Sequence, residues 1–193
     1  MKMPALILAS TSPRRSELLR QMGVEFVVIR NEVPEVAPEH LSPAETAQIN
    51  AYRKAHATAK KFPDQIVLGA DTVVSLGTEV FGKPTDQADS ERMLAKLQGR
   101  THQVITGVCL IHQRAHRQRL FFVATAVTFR KLHMGQIRRY LAKILPFDKA
   151  GGYAIQDEGD QIVKHIHGSF SNVIGLPVER LRRELAAWQA VSL

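Results

Sequence analysis

Asp71 sits where a carboxylate is hardest to explain without chemistry. It interrupts the β-rich run Ile66-Val67-Leu68-Gly69-Ala70-Asp71-Thr72-Val73-Val74. An ionised carboxylate is costly to bury unless it is paired or holds a metal. Two readings follow: a structural ion pair or turn closure after Gly69, or a general base or metal ligand at a strand end. A second concentration lies near the start, where Ala9-Ser10-Thr11-Ser12-Pro13-Arg14-Arg15 follows the apolar Leu6-Ile7-Leu8. Ser12 reads as a helix N-cap with Pro13 in the first turn. Arg14 and Arg15 then oppose the helix dipole by about 0.3–1 kcal/mol each. A bound anion reverses that sign, because free backbone N–H groups, hydroxyls and guanidinium groups all face it. The plainer reading leaves both arginines in solvent.

Other candidates are weaker taken singly. Glu32, Glu35 and Glu39 share one loop, Lys83 lies in Gly82-Lys83-Pro84, and Lys54 falls in mid-helix. Each is as easily a solvated charge. Lys149-Ala150-Gly151-Gly152-Tyr153-Ala154-Ile155-Gln156 pairs glycines that permit close ligand approach with an amide that both donates and accepts. Gly168 to Pro177 reads as a shaped loop leading into the last helix.

The positioning elements follow from periodicity and punctuation. Strands are expected at residues 6–9, 26–29, 66–76, 80–81, 103–111, 120–129 and 162–166. Helices are expected from Pro13 to Met22, from a Ser42-Pro43-Ala44-Glu45 capping box to Lys60, and over 86–97, 134–145 and 178–188. Residues 147–159 read as irregular. Early strands alternate with helices and a hairpin sits in the middle. The fold class is therefore α/β, with a mixed twisted sheet flanked by helices.

Composition bounds the partners. The 193 residues suit one domain over 1–193, and no apolar run is long enough to span a bilayer. The short run after Lys2 is too little for a secretory signal. The single cysteine, Cys109, lies in an apolar strand, excludes an intramolecular disulfide and points to a reducing, cytoplasmic setting. The net charge of +8 suits polyanions. The basic clusters at 114–119 and 180–183 lack interleaved aromatics, however, which disfavours a nucleic-acid groove.

Taken together, the motifs at 9–15, 69–74, 82–84, 99–102, 148–151 and 172–177 resemble the Maf family of nucleotide pyrophosphatases. That family shares its architecture with the inosine triphosphate pyrophosphatases, two lobes around a central cleft. The likeness covers nearly the whole chain. The segments around Gln156 and Asn172 look like the branch that hydrolyses dTTP and UTP. The resemblance implies cleavage between the α- and β-phosphates, giving a nucleoside monophosphate and pyrophosphate. It implies Asp71 as proton acceptor, Lys54 and Lys83 as cations for the triphosphate, and Lys149 as a lesser candidate for that role. Ser10 and Arg14 would bind phosphate, and Arg14, Thr72 and Gln156 would tune substrate choice. Glu35 and Asp71 would hold Mg²⁺ or Mn²⁺. A thymine or uracil N3–H with its adjacent carbonyl suits one glutamine amide. A homodimer is a further implication. The chain departs from the pattern at Ile49 and Asn50, where an arginine and a leucine are common, and at Ala126 and Asp157. Rival readings are a nucleotide- or nucleic-acid-binding regulator, a 7-methyl-GTP pyrophosphatase, and a transferase using the same phosphate cradle. The Walker glycine-lysine pattern is absent.

Overall fold

The computed structural model describes residues 6–30 and 32–190. In chain order the elements are β1 (Leu6–Leu8), α1 (Pro13–Gln21), β2 (Phe26–Val28), α2 (Pro43–Ala59), β3 (Ile66–Leu76), β4 (Glu79–Phe81) and α3 (Gln87–Leu97). There follow β5 (Thr101–His112), β6 (Arg117–Phe129), α4 (Met134–Leu141), α5 (Gly159–Ile162), β7 (Val163–His167), α6 (Phe170–Ile174) and α7 (Val178–Ala190). The sheet is mixed and seven-stranded, of order β2-β1-β3-β5-β6-β7, with β4 also on β3. β1 runs parallel to β2 and β3, whereas the remaining pairs are antiparallel.

The register creates a gap. β5 pairs with β3 from Ile66 to Ser75 along one edge. β1, against Ile66–Leu68, and β4, against Val74–Leu76, must therefore share the other edge. Between them, residues 69–73 of β3 have no strand partner on that side among the described residues. Asp71 and Thr72 lie in this gap, and β1 ends beside it, delivering Ser10 and the start of α1.

Alternation along β3 sends its side chains to two faces. Val67, Gly69, Asp71 and Val73 face α2. This helix carries the fully buried ridge Ala47, Ala51, Ala55 and Ala59 at four-residue spacing. A Cβ on Gly69 would fall 2.3 Å from the Ala51 carbonyl oxygen, and one on Gly107 of β5 2.4 Å from that of Ala47. Glycine under alanine thus lets α2 lie almost directly on the sheet, within reach of Asp71. Its N-terminus is fixed by the expected capping box: Ser42 accepts from the Glu45 N–H and Glu45 accepts from the Ser42 N–H.

The opposite face carries two apolar cores. One joins Leu8, Leu19, Leu68, Leu110 and Leu181, and the other joins Val74, Phe81, Leu94, Phe129 and Tyr140. Between them runs a polar row of Thr72, Thr106 and Thr125 under Asn172.

Several expected boundaries shift. α4 stops at Leu141 instead of Leu145, because Pro146 biases its predecessor away from helical angles, and Leu145 swings out to 77% exposure. β5 and β6 extend to residues 101–112 and 117–129, so Arg117 and Arg119 lie in a strand and not in the hairpin tip. The span 147–159 contains two 3₁₀ turns, Pro146–Asp148 and Ala150–Gly152. The segment 168–177, expected as loop, holds the one-turn α6. Its cap Ser169 accepts from the Asn172 N–H and Gly175 ends it at φ 126°. Five residues are too few for periodicity to reveal.

Candidate active site

A cleft of about 590 Å³ opens at the gap in β3. Ser10, Arg14, Arg15, Glu35, Lys54, Asp71, Thr72, Lys83, Lys149 and Gln156 all line it, so every expected site residue converges there.

The α2 side is charged. Asp71 is only 3% exposed. Lys54 Nζ donates to Asp71 Oδ1 at 2.6 Å and to Glu35 Oε1 at 2.9 Å, and Lys83 Nζ donates to the same Glu35 oxygen at 2.9 Å. Lys54 is therefore a buried bridge between two carboxylates and not the solvated mid-helix lysine its position alone suggests. Burial raises the Asp71 pKa above the ordinary carboxylate value. The Glu35 charge adds to this and Lys54 opposes it. Glu35 goes the other way: burial opposes its ionisation, but Lys54 and Lys83 together pull it down to about 2. Two neighbouring carboxylates are thus driven apart in basicity, a pattern that separates acid–base roles.

Asn50, one turn before Lys54 on α2, joins the cluster. Its Nδ2 donates to Asp71 Oδ2 at 3.3 Å and to the Val36 carbonyl at 2.9 Å, while its Oδ1 accepts from the Val36 N–H at 2.9 Å.

The other side is built around Arg15, which is buried. Its Nε donates to the Gly175 carbonyl at 2.9 Å, one Nη to Ser10 Oγ at 3.2 Å and the other to Thr72 Oγ1 at 3.1 Å. Burial lowers its pKa, partly offset by Asp71 and Glu35. Thr72 Oγ1 lies 3.0 Å from Thr106 Oγ1, which donates to the Asn172 carbonyl. Asn172 Nδ2 in turn donates to the Val104 carbonyl and Thr125 Oγ1. A chain of hydrogen bonds thus runs from the cleft across the sheet. Arg14 sits at the rim, with its guanidinium on the Asp148 carboxylate at 2.8 Å and on the Asp148 carbonyl at 3.2 Å. Lys149 holds the other Asp148 oxygen at 2.6 Å. Gln156 stands exposed in the wall, together with the half-exposed Phe147.

Sequence reasoning treated Arg14 and Arg15 alike and advanced only Arg14. Successive helical residues point about 100° apart, so one arginine enters the core and its neighbour stays at the rim. Asn50 and Asp148 were also missed. Asn50 stood out only as a departure from the expected pattern, and Asp148 carried no signal beyond its place in a motif. Cys109, expected in the core, is buried there, and burial pushes its thiol up to about 12.

A strand that presents a carboxylate beside a second from a neighbouring loop on one face and an arginine-anchored hydroxyl on the other, beside a helix N-terminus, equips an α/β protein to hold a polyanion and offer it a base. The chain belongs to the Maf family: the model described as Maf-like protein matches residues 5–188. It is 48% identical over 178 residues to a dTTP/UTP pyrophosphatase of Symbiobacterium thermophilum, covering 92% of this chain and 91% of that protein. Proteins of the same name from Bacillus cereus and Desulfitobacterium hafniense are 44% identical, each match covering 95% of this chain and, respectively, 95% and 85% of the relative. A solved HAM1 protein of Coxiella burnetii superposes with a TM-score of 0.45 at 17% identity, over 66% of this chain and 73% of that one.

Proposed function

We propose that this chain hydrolyses dTTP and UTP between the α- and β-phosphates, releasing the monophosphate and pyrophosphate, with 1–193 acting as one unit. The observation that carries the reading is the convergence of Asp71 and Glu35 on Lys54, across one cleft from Ser10, Arg14 and Arg15. The name shared by the relatives supplies the substrate.

Phosphoryl transfer is mostly positioning and charge neutralisation. The Ser10–Arg15 segment and Lys83 would hold the triphosphate. The raised pKa of Asp71 suits it to accept a proton from the attacking water at a carboxylate oxygen. Glu35, kept ionised, and Asp71 are hard oxygen donors and would hold Mg²⁺ or Mn²⁺. No group of three or more His, Cys, Asp or Glu placed to hold a metal ion occurs among the described residues. Two carboxylates suit an ion that keeps waters and takes substrate oxygens, not an all-protein cage. When bound, the ion would neutralise phosphate charge. Gln156 would read the base through its amide, beside the Phe147 ring.

Nucleic-acid binding is disfavoured by where the basic groups go. Arg114 pairs with Asp64, and both Arg119 and Arg180 pair with Glu184. No helix among the described residues is long and apolar enough to cross a membrane. The buried lone thiol fits a cytoplasmic setting.

The sheet edge supports the homodimer as part of this proposal. β7 pairs with β6 only from Ala126 to Phe129, so residues 118–124 have no strand beyond them on that edge among the described residues. Leu120 and Phe122 are exposed there at 37% and 47%. Antiparallel pairing of two copies about Phe121 would set Leu120 against Phe122 and keep Arg117 and Arg119 off their own kind. Phe122→Glu should convert a dimer to a monomer in light scattering. A monomeric wild type rejects the arrangement.

The activity test is pyrophosphate release from a panel of nucleoside triphosphates with Mg²⁺ or Mn²⁺. Release from dTTP and UTP is expected, with a sharp fall for these two in Gln156→Glu. Preference for 7-methyl-GTP would move the base assignment, and no release from any substrate would return the regulator reading.

A further inference from the structure

Asn50, buried behind Asp71 in the wall of the cleft, is a polar residue that neither the motifs nor the proposed mechanism uses. It is 3% exposed and lies on α2 one turn before Lys54. Its amide closes a two-bond ring on the backbone of Val36, accepting from the N–H and donating to the carbonyl, each at 2.9 Å. Two residues of one strand ladder would be joined in the same way. This ring fastens to α2 the loop that carries Glu35, a loop outside regular structure from residue 32 to 38. The same Nδ2 then reaches Asp71 Oδ2 at 3.3 Å, whereas Lys54 takes Oδ1.

A planar amide with one acceptor and two donor hydrogens is used in full here. A leucine at this position could make none of these three bonds. The lysines reach only one oxygen of each carboxylate, Glu35 Oε1 from Lys54 and Lys83 and Asp71 Oδ1 from Lys54, through flexible ammonium groups. Asn50 removes that flexibility twice over, through the loop of one carboxylate and the second oxygen of the other. We infer that Asn50 is a positioning residue that fixes the Glu35 loop relative to Asp71 and so sets the spacing of the two carboxylates in this chain. The inference deepens the proposed pyrophosphatase reading and rests on it for its kinetic consequence only.

The test uses the full chain and Asn50→Leu, with two readouts. Amide hydrogen exchange should show the Val36 N–H protected in the wild type and at least about tenfold faster in the variant, since a buried partner has been withdrawn. With dTTP, kcat should fall about ten- to hundredfold while KM changes by less than about threefold, because misplacement acts at the reacting centre and not on the phosphates. A variant with wild-type kcat, or one in which Val36 stays protected, overturns the inference. So does a loss of kcat matched by an equal rise in KM, which is general loosening of the cleft. If the wild type releases no pyrophosphate from any triphosphate, the functional reading falls. Val36 exchange still decides whether Asn50 holds the loop.

Discussion

Asp71 and Thr72 are adjacent in the chain and occupy opposite faces of the same strand, and the two faces are built on opposite principles. On the Asp71 side, unlike charges meet at short range: two carboxylates, Lys54 and Lys83, packed under a helix that alanines and glycines bring close. On the Thr72 side, one buried guanidinium is surrounded by neutral acceptors, Ser10, Thr72 and the Gly175 carbonyl, and is backed by a threonine–asparagine chain. The first arrangement sets protonation and can exchange partners, since each of its ions is compensated by another that substrate or metal could replace. The second fixes geometry, since neutral hydrogen-bond acceptors hold Arg15 without cancelling its charge. A cleft that must both bind a polyanion and attack it needs both kinds of wall.

The sharpest break in this comparison is Asp71→Asn. It keeps the shape and removes the proposed base, and pyrophosphate release is expected to fall by about 10²–10⁴-fold, roughly 3–5 kcal/mol in the barrier. Circular dichroism should be unchanged. Near-normal turnover would take Asp71 out of the chemistry. Arg15→Ala acts on the other wall and should cost folding stability as well as turnover. Two buried acceptors and the half-buried Thr72 hydroxyl lose a charged donor, and urea unfolding should report a loss of roughly 3 kcal/mol. Arg14→Ala is the control: its partner Asp148 is solvent-exposed, so stability should move by less than about 1 kcal/mol. Equal losses for the two arginines would contradict the division between core and rim.

A third test lies in the second apolar core, away from both walls. His102 Nε2 lies 2.9 Å from the Tyr153 hydroxyl, its ring is edge-on to Phe129, and burial lowers its pKa from 6.5 to about 4. A depressed histidine is neutral in the folded protein while the unfolded chain takes up a proton. Stability should therefore fall as pH drops from 6.5 toward 4, and level off below. The wild type is expected to lose roughly 2–3 kcal/mol relative to His102→Gln over that window in urea titrations. Parallel curves for the two proteins would show that His102 is not buried neutral. Apart from the Arg14 control, the smallest effect is expected at the polar row. Asn172→Ala withdraws donors from the Val104 carbonyl and Thr125, and should cost about 1–2 kcal/mol with a modest loss of turnover transmitted through Thr106 and Thr72. A change larger than that of Arg15→Ala would make the row, not the arginine, the anchor of the wall.

Much of this was legible in the chain. The capping box at Ser42 is a local signal, set by hydrogen bonds to a residue three positions away, the helix start at Ser12-Pro13 follows from backbone angles without a side-chain capping bond, and the strand around Asp71 shows in its apolar β-branched run. The buried carboxylate in an apolar run announced the site for the same reason, since burial is visible in the neighbours on either side. The mixed sheet also followed from the order of strands, helices and hairpin.

Tertiary structure decided the rest. Which of Arg14 and Arg15 is buried depends on the angle at which α1 meets the sheet. α1 buries Leu18 and Leu19 in a core shared with Leu68 and Leu176, far away in the sequence. Lys54 and Asn50 become partners of Asp71 only because Gly69 and Gly107 let α2 settle onto β3 and β5. The gap that exposes Asp71 and Thr72 exists because two short strands share one edge of a long one. Sequence by itself determined most of the elements, the family and the candidate side chains, because those are encoded by residue type and short spacing. It left open which side chains meet, because a meeting is decided by packing between segments that only the whole fold brings together.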